Sequence, residues 1–410
     1  MSHSKQDFDY DAALRQAWLD FCDRLRQAGL ESFKDSIPEN EAQRVDAFRF
    51  LTQNLSQAFD LSLETKNPKF PLLHSFSNPL HKLGSDAADL LYHQAWIDGE
   101  SAYRLYGQRG SAQFINFTVH GARPETIPGT GAPSLHEPFG DRPQHNLTGE
   151  ELVVDDKGHF ELFIGGAPRA KNWLPTEPDS RKLFIRQGFD HFDEAPAVMR
   201  IERIGLAEAP PPPSAEDFIG ALSWSASFVE GLMRDWPEHP YRYSQGVVDP
   251  SHINRFPEII AAGDDDVKRG RQVSHLCWQL DPDQALIVSF SAHEAFWMVN
   301  LSGAMMNSLD YLYRPTSITR ARAAVDSDDV IRLVIAHRDP GVENWLDTQG
   351  FGSGNLTYRC FQGLPPAVMQ SELVAFDELE RLLPPSTTRC HAESRQKKLL
   401  ERFRSVVNRL

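Results

Sequence analysis

Pro-x-x-x-Asn-Trp-Leu occurs twice in this chain, at Pro168–Leu174 and Pro340–Leu346, an offset of 344 − 172 = 172 residues. Each copy follows a short apolar run, Leu162-Phe163-Ile164 or Leu333-Val334-Ile335. Each precedes a strand-like segment ending in arginine, Leu183–Arg186 or Leu356–Arg359. A repeat of this length constrains the fold to a duplicated β unit. The copies differ in charge: Asp339 and Asp347 stand where the first copy has Ala167 and Pro175.

A length of 410 residues exceeds one ordinary core and suits two or three units. Apolar content of 40% and charged content of 24% are those of a globular chain. The net charge of −15 argues against nucleic acid as a partner, because such binding needs a basic footprint. No apolar run reaches the roughly 20 residues of a membrane helix. The N-terminus lacks a secretory pattern, and the four cysteines are scattered, which predicts free thiols and a cytoplasmic location.

Residues 8–29 carry Leu14, Trp18, Cys22 and Leu25 at helical spacing, with Gly29 placed to end the helix. Ser36-Ile37-Pro38-Glu39 predicts a second helix start. Strands are expected at 103–106, 113–119, 151–154 and 159–164, the last two as a hairpin, with a long loop over 121–146. Pro210–Pro213 reads as a stiff linker, followed by a helix over 214–236. Strands return at 285–290 and 296–301. The C-terminal stripe Leu399, Phe403, Val406 and Leu410 predicts a helix with a solvated basic face.

The run His337-Arg338-Asp339-Pro340-Gly341-Val342-Glu343-Asn344-Trp345-Leu346-Asp347-Thr348 resembles the hallmark of bacterial domain-of-unknown-function family 1214. Trp297, Ser308-Leu309-Asp310-Tyr311, Arg314 and Ser317 resemble a second family segment, and the likeness spans about residues 40–363. It implies a double jelly roll and no particular reaction. Gly350-Phe351 departs from the Gly-His found in many members.

The organisation expected is a helical cap over 1–90, a jelly-roll-like β unit over 91–209, a linker and helix over 210–271, a second β unit over 272–366, and a helical tail over 367–410. The fold class is mainly β, with two antiparallel sandwiches. Asn-Trp-Leu in both halves reads as scaffold, because a single site seldom needs both copies. The charge of the second copy supplies the candidates for acid–base chemistry: Asp310, Asp339 and Asp347, with Asp310 facing the same cavity as Asp339. The other reading pairs Asp339 and Asp347 with Arg338 or Arg359 as structural ion pairs. Arg314, Arg338, Arg359, Ser317, His337 and Asn344 would bind a polar substrate, with Trp297 and Trp345 as apolar walls.

His120, His136, His145 and His191 lack metal-ligand spacing, so no metal or other cofactor is expected. Asp264-Asp265-Asp266 reads as a solvated charge run. Two functions fit. One is a cofactor-independent lyase, isomerase or hydrolase acting on a small molecule. The other is a non-catalytic ligand-binding or assembly protein, with a homo-oligomer as one form.

Overall fold

The computed structural model describes residues 9–126, 133–238, 253–256, 271–361 and 369–410. Among the described residues, seventeen strands form four sheets. In the first half they are β1 (His74–Phe76), β2 (Leu90–Trp96), β3 (Tyr103–Gln108), β4 (Phe114–His120), β5 (Pro143–Thr148), β6 (His159–Ile164), β7 (Trp173–Leu174), β8 (Lys182–Gly188) and β9 (Val198–Arg203). In the second they are β10 (Arg271–Gln279), β11 (Gln284–Ser291), β12 (Phe296–Ser302), β13 (Ser317–Thr319), β14 (Val330–Ala336), β15 (Trp345–Asp347), β16 (Ser353–Phe361) and β17 (Gln370–Ala375).

The sheet orders prove the duplication. The first sandwich sets β1-β2-β8-β4-β5 against β7-β6-β3-β9, and the second sets β10-β16-β12-β13 against β15-β14-β11-β17. Apart from β1, adding eight to each strand number in the first gives the second. The strands are antiparallel except β7 and β15, which carry the repeated Trp-Leu and run parallel to β6 and β14. Each sandwich has its own core, with Phe117, Leu162 and Ile185 in one and Val288, Leu333 and Leu356 in the other.

Some boundaries move. The strand expected at 151–154 lies instead at Pro143–Thr148, and β6 pairs with β3 and β7 rather than closing a local hairpin. Gln370–Ala375 belongs to the second sandwich, pairing with β11, so the expected tail supplies a strand.

Helix α1 (Tyr10–Leu30) forms where expected, but Phe21 and Ala28 are its buried residues, and Trp18 and Cys22 of the expected stripe are exposed. Helix α2 (Glu41–Phe59) starts later than Ser36, because Asn40 is the residue whose side chain accepts from the Gln43 amide. Helix α3 (Ala215–Asp235) follows the proline run with a capping box from Ser214 and Asp217. It returns to the cap rather than serving as a separate linker unit: Arg24 of α1 meets Glu230 at 2.5 Å, and Ser62 meets Ser225 at 2.7 Å.

The C-terminal helix (Ala392–Val407) buries Val406 as expected, but part of its basic face turns inward as well. Arg395 and Arg402, seven residues apart and so on one face, point inward and are buried, whereas Leu410 is 60% exposed. Their guanidinium groups reach acceptors that the apolar side chains cannot use.

Candidate functional site

The repeated motif forms the same clamp twice. Asn172 accepts from the Val153 amide at 2.8 Å and donates to its carbonyl at 2.7 Å. Asn344 treats Ala324 identically, at 2.8 and 2.7 Å. Trp173 Nε1 donates to the Gly165 carbonyl, and Trp345 Nε1 to that of Ala336. Both pairs tie the strand to backbone elsewhere in its own sandwich.

The charged residues of the second copy divide into two places. Asp347 pairs with Arg314 at 2.8 Å, and its other oxygen accepts from the Gln349 amide. Gln349 in turn accepts from the Asp310 amide, while the Asp310 carboxylate caps the Leu312 and Tyr313 amides. Asp310, Arg314 and Asp347 therefore come together. Asp339 does not join them: both its oxygens bind Arg395 of the C-terminal helix, at 2.8 and 2.9 Å. The ion-pair partners are thus Arg314 and Arg395, in place of Arg338 and Arg359. Arg338 lies over Phe376 at the surface, and His337 bonds Thr348 at 2.7 Å. Trp297 is inside the second core, edge-on to Phe290, and Ser317 donates to Asp89 at 3.2 Å.

A different set of residues stands out on the outer face of the first sandwich. Strand alternation sends Ile115, Phe117 and Val119 of β4 inward, and Asn116, Thr118 and His120 outward. The register lines these up in three rows across β2, β8 and β4: Tyr92, Arg186, Asn116; Gln94, Phe184, Thr118; and Trp96, Lys182, His120. A polar outer face ordinarily meets water, yet all nine residues are buried.

Arg186 lies 4.1 Å over the Phe184 ring and donates to Thr118, which donates to Asn116 Oδ1 at 2.5 Å. His120 stacks on Phe184, and Lys182 donates to the Pro138 carbonyl at 2.6 Å. Gln94, only 1% exposed, has no hydrogen-bond partner for either its amide oxygen or its amide nitrogen, and Asn116 Nδ2 has none either, among the described residues. A buried polar group left in this state costs about 1–3 kcal/mol.

The same face of the second sandwich answers the same need differently. Its matching rows are Val273, Arg359, Met298; His275, Thr357, Asn300; and Cys277, Asn355, Ser302. Here the cap segment Gly84–Asp86 lies against the polar groups. Arg359 donates to Asn300 Oδ1 at 2.6 Å and to the carbonyls of Gly84 and Ser85. Asn300 Nδ2 donates to Ser85 Oγ and the Asp86 carbonyl, and Thr357 bonds Ser85 Oγ. The segment is anchored by Asp86, which accepts from Tyr311 at 2.7 Å and Ser308 at 2.9 Å. Burial pushes the Asp86 carboxyl upward, opposed by Lys82. Ser308-Leu309-Asp310-Tyr311 is therefore a dock for the cap.

The two outer faces meet through Phe114, Phe296 and Phe361, with Phe114 and Phe361 4.7 Å apart. On the first face, Phe76 and Phe139 pack against Phe184 and its neighbours. The loop carrying Phe139 is fixed by His136, whose Nε2 accepts from Trp236 at 3.1 Å. Burial lowers the His136 pKa from 6.5 to about 4, so the ring is neutral. His145 faces Glu177, and His191 is exposed. Among the described residues no three His, Cys, Asp or Glu groups are placed to hold a metal, and no helix is long and apolar enough to cross a membrane. Asp264–Asp266 lie outside the described residues.

The sequence does not announce the polar face, because Asn116, Thr118 and His120 alternate with apolar residues as a solvent-facing strand would. Only Leu90–Trp96, nearly continuous in bulky residues around Gln94, signals burial on both faces.

No protein-family model matches this chain, and no curated protein matches it. Among solved structures, it is similar to an uncharacterized protein from Burkholderia cenocepacia, with 28% identity and a TM-score of 0.80 over 90% of this chain and 100% of that one. It has a remoter likeness to the VPA0106 protein from Vibrio parahaemolyticus, with 11% identity and a TM-score of 0.41 over 80% of this chain and 98% of that one. The Burkholderia structure supports the mainly β double-sandwich fold.

Proposed function

We propose that this chain binds a small, oxygen-bearing organic molecule on the outer face of its first sandwich. The observation that carries the reading is the unfilled amide of Gln94 beside the unfilled Nδ2 of Asn116, on a face whose duplicate is filled by Gly84–Asp86. A ligand offering both a donor and acceptors would complete Gln94 and Asn116 as the peptide segment completes Asn300 and Thr357. Tyr92, Phe184 and Phe76 would supply the apolar surround, and Arg186 a charge-assisted donor. With this goes the proposal that the chain belongs to family 1214, on the segments Ser308–Tyr311 and His337–Thr348.

Binding is favoured over acid–base catalysis. The carboxylates of Asp339 and Asp347 are both held by arginine, and the rows around Gln94 contain no carboxylate. A thermal-shift screen of sugars, sterols, terpenoids and aromatic acids tests the reading. A ligand at about a hundred times its Kd stabilises by about 2.7 kcal/mol. One class should raise the Tm of the natural chain and fail to raise that of Gln94→Leu. Equal responses in both chains, or none in either, would count against it.

A further inference from the structure

A second region of the molecule gathers more positive charge than it neutralises. Where the C-terminal helix meets both sandwiches, Arg322, Arg402 and Arg409 surround Asp89, which is 1% exposed. Arg322 Nη2 lies 2.5 Å from Asp89 Oδ1 without hydrogen-bond alignment, and Nε donates to Thr319. Arg402 donates to the carbonyls of Arg314 and Ser317, at 2.8 and 2.7 Å. Arg409 donates to the Ala88 carbonyl and Ser405, and stacks 3.8 Å over Phe189.

Apart from the Arg322–Asp89 pair, these contacts place the arginines without neutralising them. Carbonyls satisfy N–H groups but carry no countercharge. Besides Arg322 Nη2, which faces Asp89, three donors remain without a hydrogen bond: Arg322 Nη1, Arg402 Nε and Arg409 Nε. Arg402 itself is 7% exposed. The nearby acids are already engaged. Asp190 pairs with Arg320 at 2.8 Å, while Glu194 accepts from the amides of Gln113, Asp190 and His191 and offsets part of the Arg409 charge. Burial, with Arg322 as the next cause, lowers the Arg402 pKa to about 10, which leaves it charged at neutral pH. Burying like charges around one carboxylate is costly unless an anion joins them.

We propose that Arg322, Arg402 and Arg409 form a binding site for a small oxyanion, of phosphate or carboxylate type, at the seam between the C-terminal helix and the two sandwiches. The oxyanion takes the three donors that do not face Asp89 and supplies the countercharge that Asp89 and Glu194 leave short for three arginines. The residues are distinct from those around Gln94, so the two sites stand or fall separately.

Calorimetric titration of the full chain with inorganic phosphate, and separately with acetate, tests this at ionic strength held constant by sodium chloride. Saturable binding of either anion is expected, and the tighter one identifies the ligand type. Arg322→Gln and Arg409→Gln should each weaken it at least about tenfold. Arg395→Gln, on the same helix but bonded to Asp339, should leave it unchanged. Absence of binding by the natural chain overturns the proposal, as does equal affinity in Arg409→Gln. The natural-chain titration decides the matter even if a variant fails to fold.

Discussion

Arg186 and Arg359 hold the same place in the two sandwiches, and their surroundings differ. Each lies on the central strand of an outer face, bonded to the residue at the matching position of the next strand, Thr118 or Asn300. Around Arg359 the chain folds its own segment Gly84–Asp86 onto the face and satisfies Asn300 and Thr357. Around Arg186 the amide of Gln94 and the Nδ2 of Asn116 are buried and unfilled. Duplication therefore produced one face closed by peptide and one with hydrogen-bonding capacity to spare. By contrast, the Asn-Trp clamp is the same in both copies. Function is better sought where the copies differ in what they leave unsatisfied than where a motif is repeated.

The closed face should be the most sensitive to loss of its arginine. Arg359→Met strands Asn300 and two carbonyls, and should cost about 3 kcal/mol in urea unfolding. A neutral result would mean that the cap segment does not depend on this face. The repeated clamp should behave alike in both halves: Asn344→Ala and Asn172→Ala should each cost about 2 kcal/mol. The Asn344 bonds are the more buried, whereas Asn172 sits at φ 47°, where alanine is strained. A large inequality would break the symmetry argued here.

Acid should act through the first half and the cap. Burial holds His93 and His136 at about 4, below the unfolded value of 6.5. The unfolded chain takes up protons that the folded chain refuses, so stability falls as pH drops from 6.5 toward about 4. At about pH 5.5 each contributes a loss of about 1.4 kcal/mol. His136→Gln should flatten that part of the stability–pH curve, and an unchanged slope would remove His136 from the account.

Much of the architecture was legible from one repeated motif. Its spacing announced the duplication, and its presence in both halves pointed to scaffold, as the Val153 and Ala324 clamps bear out. Strand-like runs at 113–119 and 296–301 proved equivalent. Long-range partners were not legible. Nothing near Asp339 in sequence announces Arg395, 56 residues on. Nor does alternation in β4 reveal that a second sandwich and the loop carrying Phe139 cover its polar side. Burial of that face is a property of how two units meet, and no single strand records it.

The smallest expected effect is the most direct test. At the closed face, His275 bonds Thr357, so His275→Leu should destabilise. Gln94 occupies the matching position on the first face, where its buried amide is an unfilled cost. In ligand-free protein, Gln94→Leu should raise the unfolding free energy by about 1 kcal/mol, measured by urea denaturation. A loss of stability of similar size would show that Gln94 is already satisfied in the fold, and would contradict the account.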